Sequence, residues 1–204
     1  MPPTSECLAR AIGSIDAANA EDPASECDAD GTSLPKELLY GRRMSAMLLR
    51  YAPEADEVAQ VAVRAQHVQR WKIPRSGYPM DKAGYHRWRT GLYRFHAEIA
   101  GRLARQAGYD EAFAQRVEAA VGKKSLDRNP DSQLVEDVAG LVFIEHYMAS
   151  FASQKTDYSE EKWLDIVAKT WRKLSPRAHA FVLAGGIHLP EHLAPLIRKA
   201  VAGG

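Results

Sequence analysis

Apolar residues recur along this chain at intervals of three and four, and no segment alternates with period two, so the sequence predicts an all-α fold. A first helix carries Leu8, Ile12 and Ile15 and stops at Pro23. A small, acidic loop follows, and Pro35 opens a helix with the stripe Leu38, Leu39, Met44, Met47, Leu48 and Tyr51. Pro53 is expected to start the next helix, with Glu54, Asp56 and Glu57 in its first turn, a buried side of Val58, Val61, Ala62, Ala65 and Val68, and an end near Trp71. A loop from Ile73 to Met80 contains Pro74 and Pro79. Asp81 then caps a long helix to about Ala107 through Trp88, Leu92, Phe95, Ile99 and Leu103. Further helices are expected from Asp110 to Val121, from Pro130 through the very apolar run LVEDVAGLVFIEHYMASF, from Tyr158 to Leu174 with Trp163, Ile166, Val167 and Trp171, behind Ser175-Pro176, and from Pro190 to the end. The run after Pro130 is expected to be central to the core.

The 204 residues are read as one compact multi-helix domain, with 1–34 as an acidic N-terminal helix and loop and 35–204 as its core. The net charge of +1 supplies no global field for nucleic acid, but its distribution is uneven. Residues 1–33 hold seven acids and one arginine, whereas 64–90 hold seven Lys or Arg and one acid. Cys7 and Cys27 form no CxxC pair, which excludes a zinc ribbon and argues against a disulfide framework. No apolar run of membrane-spanning length and no signal peptide is seen, so a cytoplasmic protein without membrane partners is expected.

Three polar residues fall on the apolar faces of three different helices: His67, His96 and Asp137. A buried carboxylate needs a partner, and two imidazoles with one carboxylate from separate helices can hold a divalent metal such as Mn, Fe or Zn. Core histidines, and an aspartate that pairs with an arginine or caps a loop, remain the alternative. Glu136 and Glu145 are the nearby carboxylates available as proton acceptors. Glu98 shares a face with Arg94 and Arg102 and reads as part of a surface ion-pair ladder.

The stretch RAQHVQRWKIPRSGYPMDKAGYHRWRT, residues 64–90, sets bases beside aromatic rings on a proline-broken loop, a pattern suited to an anion such as phosphate. Arg70, Lys72 and Arg75 in this loop, and Lys123, Lys124 and Arg128 in a second, are the candidate substrate-binding residues, with Arg42-Arg43 a third basic pair. A Walker loop, a GxGxxG fingerprint and a GxSxG elbow are all missing, which removes the commonest nucleotide and hydrolase readings.

The segments HVQRWKIPRSGYPMDKAGYHRWR, FHAE, LVEDVAGLVFIEHY and KTWRKLS, with IDAANAEDP and PKELLYGRRMS, closely resemble the DUF4202 family. More distantly, the chain resembles the HD-domain superfamily of metal-dependent phosphohydrolases. That likeness implies His67 as the first histidine, His96 as the histidine of the His-Asp pair and Asp137 as the final aspartate, with Lys123-Lys124 where some members carry a further histidine. The aspartate of the pair is replaced by Ala97. What the likeness implies is a metal-activated water attacking phosphorus in a small phosphorylated substrate such as a nucleotide, with Arg70, Arg75 and Lys124 on the phosphate. One other function fits the residues, a binding module for a phosphorylated ligand or, less favoured, RNA, with Trp71, Tyr78 and Trp88 as stacking surface; the HD likeness also implies an HD-type iron oxygenase, against whose di-iron form the missing paired aspartate counts.

Overall fold

The computed structural model describes residues 5–126, 128–150, 159–189 and 195. Helix α1 spans Glu6–Asn19 and is followed by a two-stranded antiparallel hairpin, β1 (Ser25–Cys27) with β2 (Ser33–Pro35). Then come α2 (Lys36–Tyr51), α3 (Glu57–Ala65), two single 3-10 turns at Arg70–Lys72 and Arg75–Gly77, and the long α4 (Lys82–Gln106). Helices α5 (Glu111–Val121) and α6 (Pro130–Val142) follow. A π turn, Phe143–Tyr147, extends α6, and α7 (Glu160–Trp171) and α8 (Pro176–Leu183) complete the described elements. The all-α expectation holds, with the hairpin its one β element among the described residues. The hairpin lies in the acidic stretch read as loop; Arg43 of α2 ties it down through Glu26, Asp28 and the Cys27 carbonyl.

Short polar side chains start most of these helices. Ser5, Asp56, Asp81, Asp110, Asn129, Ser159 and Ser175 each accept a hydrogen bond from a first-turn amide, relieving donors that the helix itself leaves unpaired. This explains where α3 departs from expectation. Asp56, not Pro53, is its cap, through Ala59 N at 3.0 Å, while Glu54 pairs with Arg177. The helix also stops at Ala65 rather than Trp71, because Gln69 turns left-handed at φ 54° and sends the chain into the 3-10 turns. Helix α7 is shorter than the expected Tyr158–Leu174, and Tyr158, the side chain of Trp163 and all but residue 195 of the expected helix from Pro190 lie outside the described residues.

Helix α3 sits at the centre. Seven of its nine residues are buried, and it touches α1, α2, α4, α5 and α6. Helix α6 shares that centre through Val135, Val138, Leu141 and Val142, each completely or almost completely buried. Burying such side chains stabilises by about 1.5–3 kcal/mol each. Helix α4 lies along α5, with Gly101 leaving room for the Glu118 side chain. No helix among the described residues is long and apolar enough to cross a membrane.

Candidate anion-binding site

Asn19, the last residue of α1, is almost fully buried and bridges two parts of the site. Its amide nitrogen donates to the Glu37 carbonyl at 3.4 Å, and its oxygen accepts from the Gln69 amide at 2.9 Å. The first turn of α2 is thereby set beside the turn that ends α3. Asp22 adds a second brace by accepting from Glu37 N at 3.0 Å.

Between these braces stands His67. Its Nδ1 lies 3.3 Å from Glu37 Oε2, and Tyr40 stacks on the ring at 4.0 Å between centroids and 13° between planes. Arg70 Nη1 is 2.9 Å from His67 Nε2. A guanidinium can only donate, so Nε2 holds the lone pair and the ring proton sits on Nδ1, facing Glu37. Burial, then the cations Arg70, Lys123, Arg89 and Lys36, hold His67 well below its ordinary pKa, and the ring is neutral at neutral pH. Burial also raises the Glu37 carboxyl to about 7, against the opposing pull of Arg70 and Lys36.

Helix α4 supplies the opposite wall. Trp88 is anchored by its indole N–H to the Ile73 carbonyl at 2.9 Å, and the Arg70 guanidinium lies 5.0 Å from its ring centroid. One turn on from Tyr85, Arg89 donates to the Tyr93 hydroxyl and, at 3.2 Å, to the Tyr85 hydroxyl. His96, 2% exposed, comes two turns later, with its ring centroid 5.8 Å from that of His67. Burial, then His67 and Arg70, lowers its pKa well below normal, and its Nε2 is buried with no hydrogen-bond partner among the described residues.

The third wall comes from the end of α5 and from α6. Lys123, left-handed at φ 53°, pairs with Glu136, and Lys173 lies 4.0 Å from the same carboxylate. Burial acts to raise Glu136, but Lys123 outweighs it and the carboxyl stays below its ordinary value. Ala139, Gly140, Phe143, Ile166 and Leu174 give this side an apolar face. Together the walls enclose a pocket of about 650 Å³, a size that suits a small organic ligand.

Its electrostatics are one-sided. Glu136 is used by Lys123 and Lys173, and Glu37 is held partly protonated. Among the described residues Arg70 and Arg89 hydrogen-bond to neutral groups, an imidazole and two phenols, and neither forms an ion pair.

Of the residues singled out in the sequence, His67, His96, Arg70, Lys123 and Glu136 line this pocket. Asp137 does not. It is 2% exposed, as its stripe implied, but its oxygens accept from Tyr51 Oη at 2.8 Å, Ser175 Oγ at 2.5 Å, Ser175 N at 2.8 Å and Gln133 Nε2 at 2.9 Å. Its partners are the cap of α8 and a phenol, not the histidines. Glu145 is likewise elsewhere, held by Arg50 at 2.8 Å and by the His188 amide at 2.8 Å. Arg75 braces its own loop through the Tyr78 and Asp81 carbonyls. Lys72, Lys124 and Arg128 are exposed outside the pocket lining. Arg94 and Glu98 do form an exposed pair at 4.0 Å.

The residues present do not fit the expected divalent metal. Among the described residues no group of three or more His, Cys, Asp or Glu side chains is arranged to hold one. Asp137 is committed elsewhere, and the lone pair of His67 already accepts from Arg70. Sequence reasoning missed Glu37, Tyr40, Arg89, Tyr93 and Lys173. Arg89 stood in plain sight within the basic stretch, and its four-residue spacing from Tyr85 and Tyr93 was the available signal.

A family model described as a domain of unknown function, DUF4202, matches residues 9–197, and the chain belongs to that family. No match is found among curated proteins or among solved structures.

Proposed function

We propose that this member of the DUF4202 family binds a small phosphorylated molecule in the pocket between α2, α4 and α6. One observation carries the reading: Arg70 and Arg89, two partly buried guanidinium groups, line one pocket without a carboxylate partner among the described residues. A partly desolvated cation is stabilised by an anion, and guanidinium geometry suits a phosphoryl group. The rings of Tyr85, Tyr93 and Trp88, and the apolar face from Ala139 to Leu174, supply surface for a planar or apolar body attached to the phosphate. The phosphorylated substrate class expected from the sequence is thus retained. A metal-dependent hydrolysis finds no support in the donor set, and near-zero net charge gives extended RNA little to bind.

Isothermal titration with inorganic phosphate, phenyl phosphate and a nucleoside monophosphate tests this. Phenyl phosphate or the nucleotide should bind more tightly than inorganic phosphate. Charge-assisted hydrogen bonds are worth about 1.5–3 kcal/mol, so Arg70→Ala or Arg89→Ala should each weaken binding by about 10- to 100-fold. Absence of binding by all three ligands, or affinity untouched by both substitutions, overturns the reading.

A further inference from the structure

We propose that His67 is a nucleophile that accepts a phosphoryl group on Nε2 from the pocket's ligand, without a metal. The inference rests on the reading of the pocket as a phosphate site and goes beyond it to a reaction.

Three features of the geometry carry it. The neutral tautomer is set by Arg70, whose N–H groups can only donate, so the Nε2 lone pair points toward the guanidinium and the opposite nitrogen bears the proton. Glu37 Oε2 lies 3.3 Å from Nδ1, near enough that its ionised form stabilises the cation formed when Nε2 becomes bonded. Tyr40, stacked at 4.0 Å, keeps the ring from turning about its side-chain bonds. The ring is therefore held from one face, with its basic nitrogen at the anion site.

The anion site and the nucleophile are neighbours by construction. Arg70 Nη1 is 2.9 Å from Nε2. A phosphoryl oxygen that takes the same N–H replaces Nε2 as its acceptor, frees the lone pair, and brings phosphorus to about the 3–3.5 Å of a near-attack arrangement. Arg89, on the opposite wall of the same pocket, is available to receive further phosphoryl charge. His96 does not offer the same chemistry: it is 2% exposed and its Nε2 is enclosed, whereas the His67 side chain is 23% exposed.

The Nε2 lone pair forms a bond to phosphorus, and the bond from phosphorus to the ester oxygen breaks. The electron pair stays on that oxygen, which takes a proton from water. The ring becomes a cation whose Nδ1 proton faces Glu37. Water then attacks phosphorus, losing a proton to solvent; the phosphorus–nitrogen bond breaks, its pair returns to Nε2, and inorganic phosphate leaves. No oxidant, reductant or metal enters.

Phosphoramidate, whose phosphorus–nitrogen bond breaks in place of the ester bond and whose amine takes a proton from water and leaves as ammonia, is the probe. The full chain is incubated with it, and the product is examined by intact mass and by peptide mapping under alkaline conditions, where phosphohistidine survives. In parallel, inorganic phosphate binding is measured by titration calorimetry. The expected result is one phosphoryl group, acid-labile and alkali-stable, on His67. It is lost in His67→Asn and retained in His86→Asn, a control on the exposed side of α4. Glu37→Gln should slow labelling by about 10- to 100-fold while leaving the half-saturating phosphoramidate concentration unchanged, as expected of a positioning residue. Circular dichroism of each variant verifies the fold. Phosphate binding with no label on His67, or a label on another histidine, overturns the nucleophile and leaves the binding reading standing. Neither phosphate binding nor label overturns both.

Discussion

Asp137→Ala separates a structural carboxylate from a ligating one. In the wild type, four donors converge on the Asp137 oxygens: the Tyr51 and Ser175 hydroxyls, the Ser175 amide and the Gln133 amide nitrogen. Alanine removes every acceptor at once in a place that is 2% exposed. Each buried donor left without a partner costs about 1–3 kcal/mol. The four do not add in full, since the two hydroxyls can pair with each other across their present 3.3 Å and water can enter the space. The net loss is about 3–5 kcal/mol, in the range found when one member of a buried charged network is removed. For a chain of this length that lowers Tm by on the order of 10 °C. Asp137→Asn keeps one accepting oxygen and should lose about half as much. Urea denaturation followed by circular dichroism, with a thermal scan beside it, gives both numbers. Phosphate affinity of Asp137→Asn should match wild type, because the residue lies outside the pocket lining. An unchanged melting curve combined with lost phosphate or metal binding would refute the assignment and return Asp137 to the site.

Asn19→Leu removes both arms of the bracket between Glu37 and Gln69, and should cost about 2–3 kcal/mol and weaken phosphate binding, read by urea titration and calorimetry on the same sample. Glu37→Gln tests linkage. A buried carboxyl raised from 4.5 to about 7 keeps its proton in the folded state after the unfolded chain has released it, so its contribution falls as pH rises through that window and is constant above it. The variant should therefore gain stability relative to wild type between pH 4.5 and 7, by up to about 3 kcal/mol; a difference independent of pH across that window would contradict the burial argument. Gly84→Ala should disturb the loop before α4, because a Cβ there would meet the Pro79 carbonyl oxygen at 2.1 Å, and a loss of about 1–3 kcal/mol with a shift in Trp88 fluorescence is expected. Glu145→Gln should leave phosphate affinity unchanged while speeding amide exchange at His188, whose N–H it holds.

The helices were legible because each level of the sequence agreed. Prolines, capping Asp, Asn and Ser, and apolar spacing all marked the same boundaries, and tertiary packing had nothing to override. The departures came where a local cue competed with another, as Pro53 did with Asp56 for the start of α3. The site was only partly legible. Periodicity put His67, His96 and Asp137 indoors, but it carries no information on which side of a helix faces which neighbour. Asp137 looks toward the α8 cap, and the histidines look toward α2 and α4. Glu37 was hidden for a different reason. At the first turn of a helix an acid is already explained by the dipole, so nothing in the sequence flagged it as a partner for His67.

Lys123 ends α5 in a conformation that favours glycine. A lysine in this region is disfavoured by about 1 kcal/mol or more. Its ammonium, however, neutralises Glu136 and sits 5.5 Å from the Tyr93 ring centroid. A glycine would relax the backbone and, in the same change, leave the partly buried Glu136 carboxylate facing the pocket with only Lys173 near it, adding negative charge where an anion is to bind. Stability and charge balance thus pull in opposite directions at one position. A stabilising screen that reads melting temperature alone would be drawn to the very substitution that turns the pocket against its ligand.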